Sequence, residues 1–137
     1  MSEVDVQEAI DFVAENHRAV MVTNGPRGVQ TSPITVGTDG EKPVISSRET
    51  AFKVRNLERD PHVVLCIFTD DFFGPWKQIE GRAEIVHLPE AMELLVDYYR
   101  SIRGEHPDWD EYRQVMEKEK RVLIKVTVER VGPTKQG

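Results

Sequence analysis

Cysteine is nearly absent from this chain. Cys66 is the single thiol, so an internal disulfide is excluded. No basic residue stands near it in the sequence, and an activated thiolate needs one, so Cys66 reads as a plain core thiol. No run approaches the roughly 18 apolar residues of a membrane helix. The opening residues, Met1-Ser2-Glu3-Val4-Asp5, are acidic and lack the apolar core of a secretory signal, so a cytoplasmic protein is expected. The four histidines, His17, His62, His87 and His106, lie far apart, and no metal site is expected from them. Basic charge is in short supply: 18 Lys and Arg stand against 24 Asp and Glu, for a net charge of −6. A nucleic-acid partner needs a basic stripe, so none is expected. Gly25-Pro26-Arg27-Gly28 lacks the glycine pattern of a dinucleotide turn, and no serine sits in a nucleophile elbow. Asp70-Asp71 reads as solvated surface. Asp108, Asp110 and Glu111 are explained by the electrostatics of a helix N-terminus.

What is present suits one globular domain over residues 1–137. Apolar residues make up 39% of the chain and charged residues 31%, which is ordinary for a soluble fold with a real core. Val6, Ile10, Val13 and Ala14 mark one face of a first helix ending near Asn16, with Ser2 and Asp5 as a loose capping pair. Ala19 to Thr23 reads as a buried strand. Asn24 to Gly28 is turn chemistry, and Val29 to Gly37 is the returning strand. Pro33 interrupts that strand and implies an edge, a bulge or a break. Asp39-Gly40 turns the chain into a third strand, Lys42 to Ser46. His62 to Phe68 is almost continuously apolar and is expected to be buried on both faces. Trp76 to His87 alternates as a long strand, with Gly81 marking a bulge or a close backbone approach. Pro89 opens a helix that runs through Met92, Leu95, Val96 and Tyr99 to Arg103, where Gly104 ends it. Asp108 caps another helix, with Trp109, Tyr112, Val115 and Met116 as its apolar face. Val122 to Val131 is the last strand. The pattern is mainly β with helices: a six-stranded antiparallel small barrel of α+β class.

The stretch Ser46 to Pro61 organises the rest. A strand runs into Ser46 and Ser47. Thr50 to Arg59 then reads as a short helix, with Ala51, Val54 and Leu57 on one face. Ser47 or Thr50 is the expected N-cap, and Asp60-Pro61 stops the helix. Lys53, Arg55 and Asn56 fall just inside it. Two readings stand side by side. Free amides, a helix dipole and a lysine make an anion site. Equally, a short basic helix can be no more than a solvated face.

Three stretches carry a resemblance. They are Lys53-Val54-Arg55-Asn56-Leu57 ending in Arg59-Asp60-Pro61, the strand Gln30-Thr31-Ser32-Pro33, and Gly104-Glu105-His106-Pro107-Asp108-Trp109 leading to Tyr112-Arg113. In this order and spacing the chain resembles the flavin-binding split-barrel proteins related to pyridoxamine 5′-phosphate oxidase. More closely, it is similar to the actinobacterial branch that uses flavins or the deazaflavin coenzyme F420. The resemblance covers nearly the whole chain. It implies a six-stranded split barrel, a homodimer, and a cofactor bound in grooves between subunits.

By that resemblance Gln30, Thr31, Ser32 and Pro33 lie along the cofactor ring. Ser46 and Ser47 stand at its phosphate end, Lys53 is the phosphate lysine, and Arg55 and Asn56 continue the motif. Trp76 matches an aromatic that reaches the groove, with a core strand aromatic as the alternative. Family members often carry an arginine two residues before the lysine; here that position is Ala51, and Arg48 is the nearest substitute. The implied activity is hydride transfer between F420 or FMN and a small unsaturated substrate, with no catalytic side chain assigned. The alternatives are an FMN-dependent oxidase of a pyridoxamine-like substrate, and a non-catalytic carrier of F420, flavin or haem. A basic rim of Arg27, Arg48, Lys53 and Lys77 would favour the anionic tail of F420.

Overall fold

The protein is described here from a computed structural model, over residues 3–133; Ser2, the expected capping residue, lies outside them. Helix α1 spans Glu3–Glu15. Strands β1 (Arg18–Gly25) and β2 (Gly28–Thr35) form the first hairpin, followed by β3 (Gly37–Thr38) and β4 (Pro43–Arg48). Helix α2 is Phe52–Arg59, and strands β5 (His62–Phe68) and β6 (Trp76–Val86) follow. Helices α3 (Ala91–Arg103) and α4 (Trp109–Lys118) precede the final strand β7 (Arg121–Gly132). The strands form one sheet in the order β2-β1-β5-β6-β7-β4-β3, with every pairing antiparallel.

The expected class holds, with seven strands in place of six. The expected strand Val29 to Gly37 divides at Val36. That residue is fully buried, and its N–H donates to the His17 carbonyl at 2.8 Å. The chain stays with β1 up to that bond and then leaves, so Gly37 and Thr38 pair with β4 instead. β2 and β3 are therefore the two opposite edges of the sheet, with one residue between them. Such a short link brings the edges together only if the sheet curls into a barrel. Where the edges meet, β2 and β4 have no ladder between them, and the barrel is split there.

Pro33 sits on that split edge. The Val36–His17 bond fixes the phase of the β1–β2 ladder, since bonded and non-bonded pairs alternate. Val20↔Pro33 is then a non-hydrogen-bonded pair. The missing proline N–H faces the free edge, where no ladder bond is lost.

The barrel interior holds Met21, Ile45, Val63, Leu65, Ile67, Ile79, Ile124 and Val126, with Ala9 and Val13 of α1 and Val54 and Leu57 of α2 packed into the same cluster. A second cluster seats α3 and α4, through Leu95, Val96, Tyr112 and Met116, on Val44 and Leu123. β5 corrects an expectation. Only Val63, Leu65 and Ile67 are buried, while Val64, Cys66 and Phe68 are half-buried on the opposite face. The strand carries apolar residues on both faces, but the fold covers only the inner one. Val115, expected on the buried face of α4, is 37% exposed. Asp108 caps α4 as expected, accepting from the Glu111 N–H at 3.1 Å. Among the described residues no helix is long and apolar enough to cross a membrane.

At Gly81 both expectations hold together. The register of β6 against β7 shifts between Glu80 and Gly81, and an added Cβ at Gly81 would run into the Thr127 carbonyl. Gly81→Ala should therefore destabilise the fold by about 1–3 kcal/mol or more. Leu65→Ala, a cavity in the barrel interior, should cost about 2–5 kcal/mol. Urea denaturation measures both, and an unchanged midpoint for either variant would refute the packing described.

Candidate functional site

α2 begins later than its hydroxyls suggest. The Ala51 N–H donates to the Arg48 carbonyl at 3.1 Å, closing a turn between β4 and the helix. That turn moves the N-cap to Ala51, which gives no side-chain bond. Neither Ser47 nor Thr50 is the cap. Ser47 is 4% exposed within β4, and its hydroxyl reaches the Arg48 carbonyl at 3.4 Å. The first amides of a helix have no intrahelical acceptor. Those of Phe52 and Lys53 are thus left at an uncapped positive end with no acid in the first turn.

A cleft of about 570 Å³ opens where the barrel is split. Pro33, Ile34 and Thr35 of β2 form one wall and Ser46 of β4 another. Lys53 enters from α2 and Arg121 from β7, and α3 supplies Tyr98 and Arg103. No carboxylate lines this cleft. Lys53 is held below the ordinary lysine range, first by burial and then by the neighbouring Arg121 guanidinium. A lysine depressed in the folded state opposes folding while it is charged. The ligand-free chain therefore gains stability as pH rises from the folded value of Lys53 towards its unfolded one.

Tyr98 spans the split. Its hydroxyl donates to the Thr35 carbonyl of β2 at 2.9 Å and lies on the cleft with Ser46 of β4. Burial pushes its pKa up, and the nearby Ser46 backbone opposes that. Tyr112 donates to the Leu95 carbonyl at 2.8 Å and is pushed up to about 12, chiefly by burial.

The motif Gly104 to Trp109 builds the elbow that carries this wall. Glu105 accepts from Arg100 Nε at 2.7 Å and from Trp109 Nε1 at 3.0 Å. The Arg100 guanidinium lies 5.0 Å from the Trp109 ring centre. Tyr99 meets His106, Tyr112 and Trp109 edge-on at 5.0, 5.2 and 5.7 Å. These contacts fix α3 against α4 and so position Tyr98 and Arg103.

Of the residues expected at a site, Pro33, Ser46 and Lys53 share the cleft. Thr31 and Ser32 continue along the same edge strand. Ser47 points into the interior. Asn56 is 4% exposed and donates to Thr23 Oγ1 at 3.1 Å and Gln30 Oε1 at 3.0 Å, while Arg59 donates to its Oδ1 at 2.6 Å. Gln30 and Asn56 therefore clamp α2 to the first hairpin. Arg55 and Asn56 line a separate groove with Phe52 and Arg59, on another flank of the helix. Trp76 starts β6 opposite Phe68, is 42% exposed, and does not line the cleft. Of the rim suggested by sequence, only Lys53 lines the cleft; Arg48 lies 3.5 Å from Glu119. Sequence reasoning missed Tyr98, Arg103 and Arg121. Arg103 stands four residues after Tyr99, which also lines the cleft, so the two share one face of α3, and that was the available signal.

A curled antiparallel sheet whose two edges meet without pairing defines a split-barrel protein. The chain belongs to the pyridoxamine 5′-phosphate oxidase family, whose sequence model matches residues 6–135. It is similar to a conserved hypothetical protein of Mycobacterium tuberculosis, 26% identical over 96% of this chain and 82% of that one, with a TM-score of 0.75. An F420 reductase is 18% identical over 89% of this chain and 94% of its own, at a TM-score of 0.70. A heme-binding protein of Mycobacterium smegmatis is 18% identical; the match covers 96% of this chain but 54% of that one, at 0.71. At such identities the last two show the fold alone.

Asn56 provides a test of the clamp. Asn56→Ala should destabilise the protein by about 1–3 kcal/mol, because it strands buried partners. Arg55→Ala, on the exposed flank, should change stability by less than about 0.5 kcal/mol. Equal effects in chemical denaturation would contradict the clamp.

Proposed function

We propose that the cleft at the barrel split binds coenzyme F420 or FMN, with F420 the first choice. The chain is then an oxidoreductase that transfers hydride to a small unsaturated substrate. The observation that carries this reading is the polar make-up of the cleft. Lys53, from the uncapped first turn of α2, lines the cleft with Arg121 and Ser46, and no acid lines the space in a chain of net charge −6. A phosphate fits that donor set.

The other end of the cleft suits a planar ring. By the phase of the β1–β2 ladder, the Thr31 N–H and carbonyl, the Pro33 carbonyl and the Thr35 N–H face the free edge. The Thr35 carbonyl is already taken by Tyr98. These groups form a fixed row of donors and acceptors for a ring edge. When bound, the cofactor supplies the hydride chemistry. The chain's own residues hold the phosphate, orient the ring along β2, and use the α3–α4 wall to exclude water. The hydroxyls of Tyr98 and Tyr112 both donate to backbone carbonyls, so the transferred proton comes from solvent in this reading.

That same absence of a free acid favours a second reading, a non-catalytic carrier of F420, flavin or haem. Turnover separates the two: a carrier binds cofactor without speeding its oxidation by any acceptor. An FMN-dependent oxidase of pyridoxamine-like substrates is the alternative enzyme, and oxygen consumption with such a substrate identifies it.

We also propose a homodimer. Val20, Val22, Val64, Cys66 and Phe68 form half-buried rows on the outer face of β1 and β5, apart from both core clusters. Phe72 and Phe73 stand 74% and 92% exposed beside that face. A second copy covers such a surface by two-fold symmetry. Light scattering at micromolar concentration should give twice the chain mass, and a monomer would refute the assembly.

Lys53→Ala should weaken FMN and F420 binding by roughly 10- to 150-fold, the equivalent of one charge-assisted hydrogen bond of roughly 1.5–3 kcal/mol. Wild-type affinity should fall with salt. It should also fall as pH climbs through the Lys53 pKa, because only the protonated amine pairs with phosphate, and the variant should show no such decline. Fluorescence titration measures the affinities, with melting curves as the control. Unchanged affinity for both cofactors would refute the phosphate site.

A further inference from the structure

The outer face of β1 and β5 ends in two opposite kinds of surface. At the Phe68 end, the link from β5 to β6 (residues 69–75) holds two phenylalanines in the open. The Gly74 N–H and the Thr69 hydroxyl donate to the Asp71 carbonyl at 2.8 and 3.0 Å, and the Phe73 N–H donates to the Asp71 carboxylate at 3.3 Å. The loop is thus shaped by its own bonds, yet Phe72 and Phe73 stay almost bare, with ring centres 5.0 Å apart. An ordered loop that displays two apolar rings marks a contact surface. Its charge is acidic. Asp70 is shared with Arg18 at 3.3 Å, and Asp71 has no basic partner among the described residues.

The other end reverses the charge. Arg18 pairs with Phe68 and Thr23 with Val63, so the β1–β2 turn and α2 lie at the far end of the same face. There a groove of about 600 Å³ runs between Pro26 and the outer flank of α2. Phe52, 70% exposed, lines it with Arg55 and Arg59, and Glu58 is the acid in the lining. Arg59 is engaged with Asn56. Arg55 has no partner among the described residues. One end therefore offers bare rings and a free carboxylate, and the other a bare ring and a free guanidinium.

Two-fold symmetry can join these ends. When two copies of one face pack together, the axis lies in the plane between them. An axis running along the strands sets loop against loop and brings Asp70 and Asp71 against their own copies. An axis running across the strands sets each loop end over the partner's α2 end, ring against ring and acid against arginine. The loop also projects past the end of β5, so it overhangs the partner's barrel where the groove opens.

We propose that the groove on α2 takes the β5–β6 loop of a second copy of this chain, with Phe73 against Phe52 and Pro26, and Asp71 facing Arg55. This rests on the homodimer reading above and goes further, because it fixes the direction of the axis and names the contact. It also ties each loop to the partner's helix that carries Lys53, the residue next to Phe52.

Cross-linking of the full chain tests the contact, in a Cys66→Ala background that removes the native thiol. Glu58→Cys and Asp70→Cys place thiols at the two ends without touching the proposed contact residues. A chain carrying both should give a covalent dimer with a short bismaleimide, and each single variant should give none. A cross-link in Asp70→Cys alone would mean that loop meets loop, and would overturn the proposal. So would a double variant that light scattering shows to be dimeric but that does not cross-link; in that case the homodimer itself survives. A monomeric wild type removes both. Charge reversal gives a second measure. Arg55→Glu and Asp71→Arg should each raise the dimer dissociation constant by about tenfold, read by sedimentation on dilution, and the two together should return it to within about twofold of wild type. Losses that simply add would overturn the pairing and the proposal with it.

Discussion

Everything at the candidate site depends on Val36. One buried residue joins β2 and β3, which are opposite edges of the same sheet. A fully extended residue spans only about 3.3–3.6 Å, so the edges must meet and the sheet must curl. Yet the Val36 N–H is committed to His17, and β3 goes to β4. The edges therefore approach without forming a ladder. Unpaired backbone groups inside a fold need partners, and the Tyr98 hydroxyl supplies one at this gap, to the Thr35 carbonyl. It replaces one cross-strand bond and leaves the rest of the edge open. The cleft is the residue of that incomplete closure.

The same constraint explains how a chain short of basic charge can build a cationic pocket. Several acids are paired outside the cleft lining: Glu119 with Arg121 and Arg48, Glu105 with Arg100, Glu93 with Arg113, Glu80 with Arg130 and His62. Most of these pairs are exposed, and surface pairs contribute little to stability. None of these acids lines the cleft.

Much of the fold was legible in the residues, and the reasons are local. Strand alternation, the Asn24 to Gly28 turn, the Asp108 cap and the Gly81 bulge are set by neighbours in sequence. Pro33 announced an edge, and an edge it is. The misses arose where tertiary packing decides. His62 to Phe68 is apolar at every position but its first, so only the fold could say that Val64 and Cys66 face outward. The hydroxyls near α2 looked like caps, but the turn closed by Ala51 set the helix start. Asn56 read as part of a binding motif, and its side chain is consumed by Thr23, Gln30 and Arg59. Lys53 was legible because it follows a strand and opens a helix. Arg103 and Arg121 were not, because they reach the cleft from elements 50 and more residues away in the chain.

α2 shows how holding and binding are divided within eight residues. Val54 and Leu57 seal the barrel interior, and Asn56 fixes the helix to the first hairpin. Those anchors are buried, so the helix cannot roll. Lys53 is then held at the split, in a first turn without a side-chain cap or an acid of its own. A hydroxyl cap at Ala51 would satisfy an amide locally and remove a donor from the cleft. An uncapped start forgoes about 1 kcal/mol of helix stability. Packing of Val54, Asn56 and Leu57 offsets that cost, and the exposed donors remain for an anion.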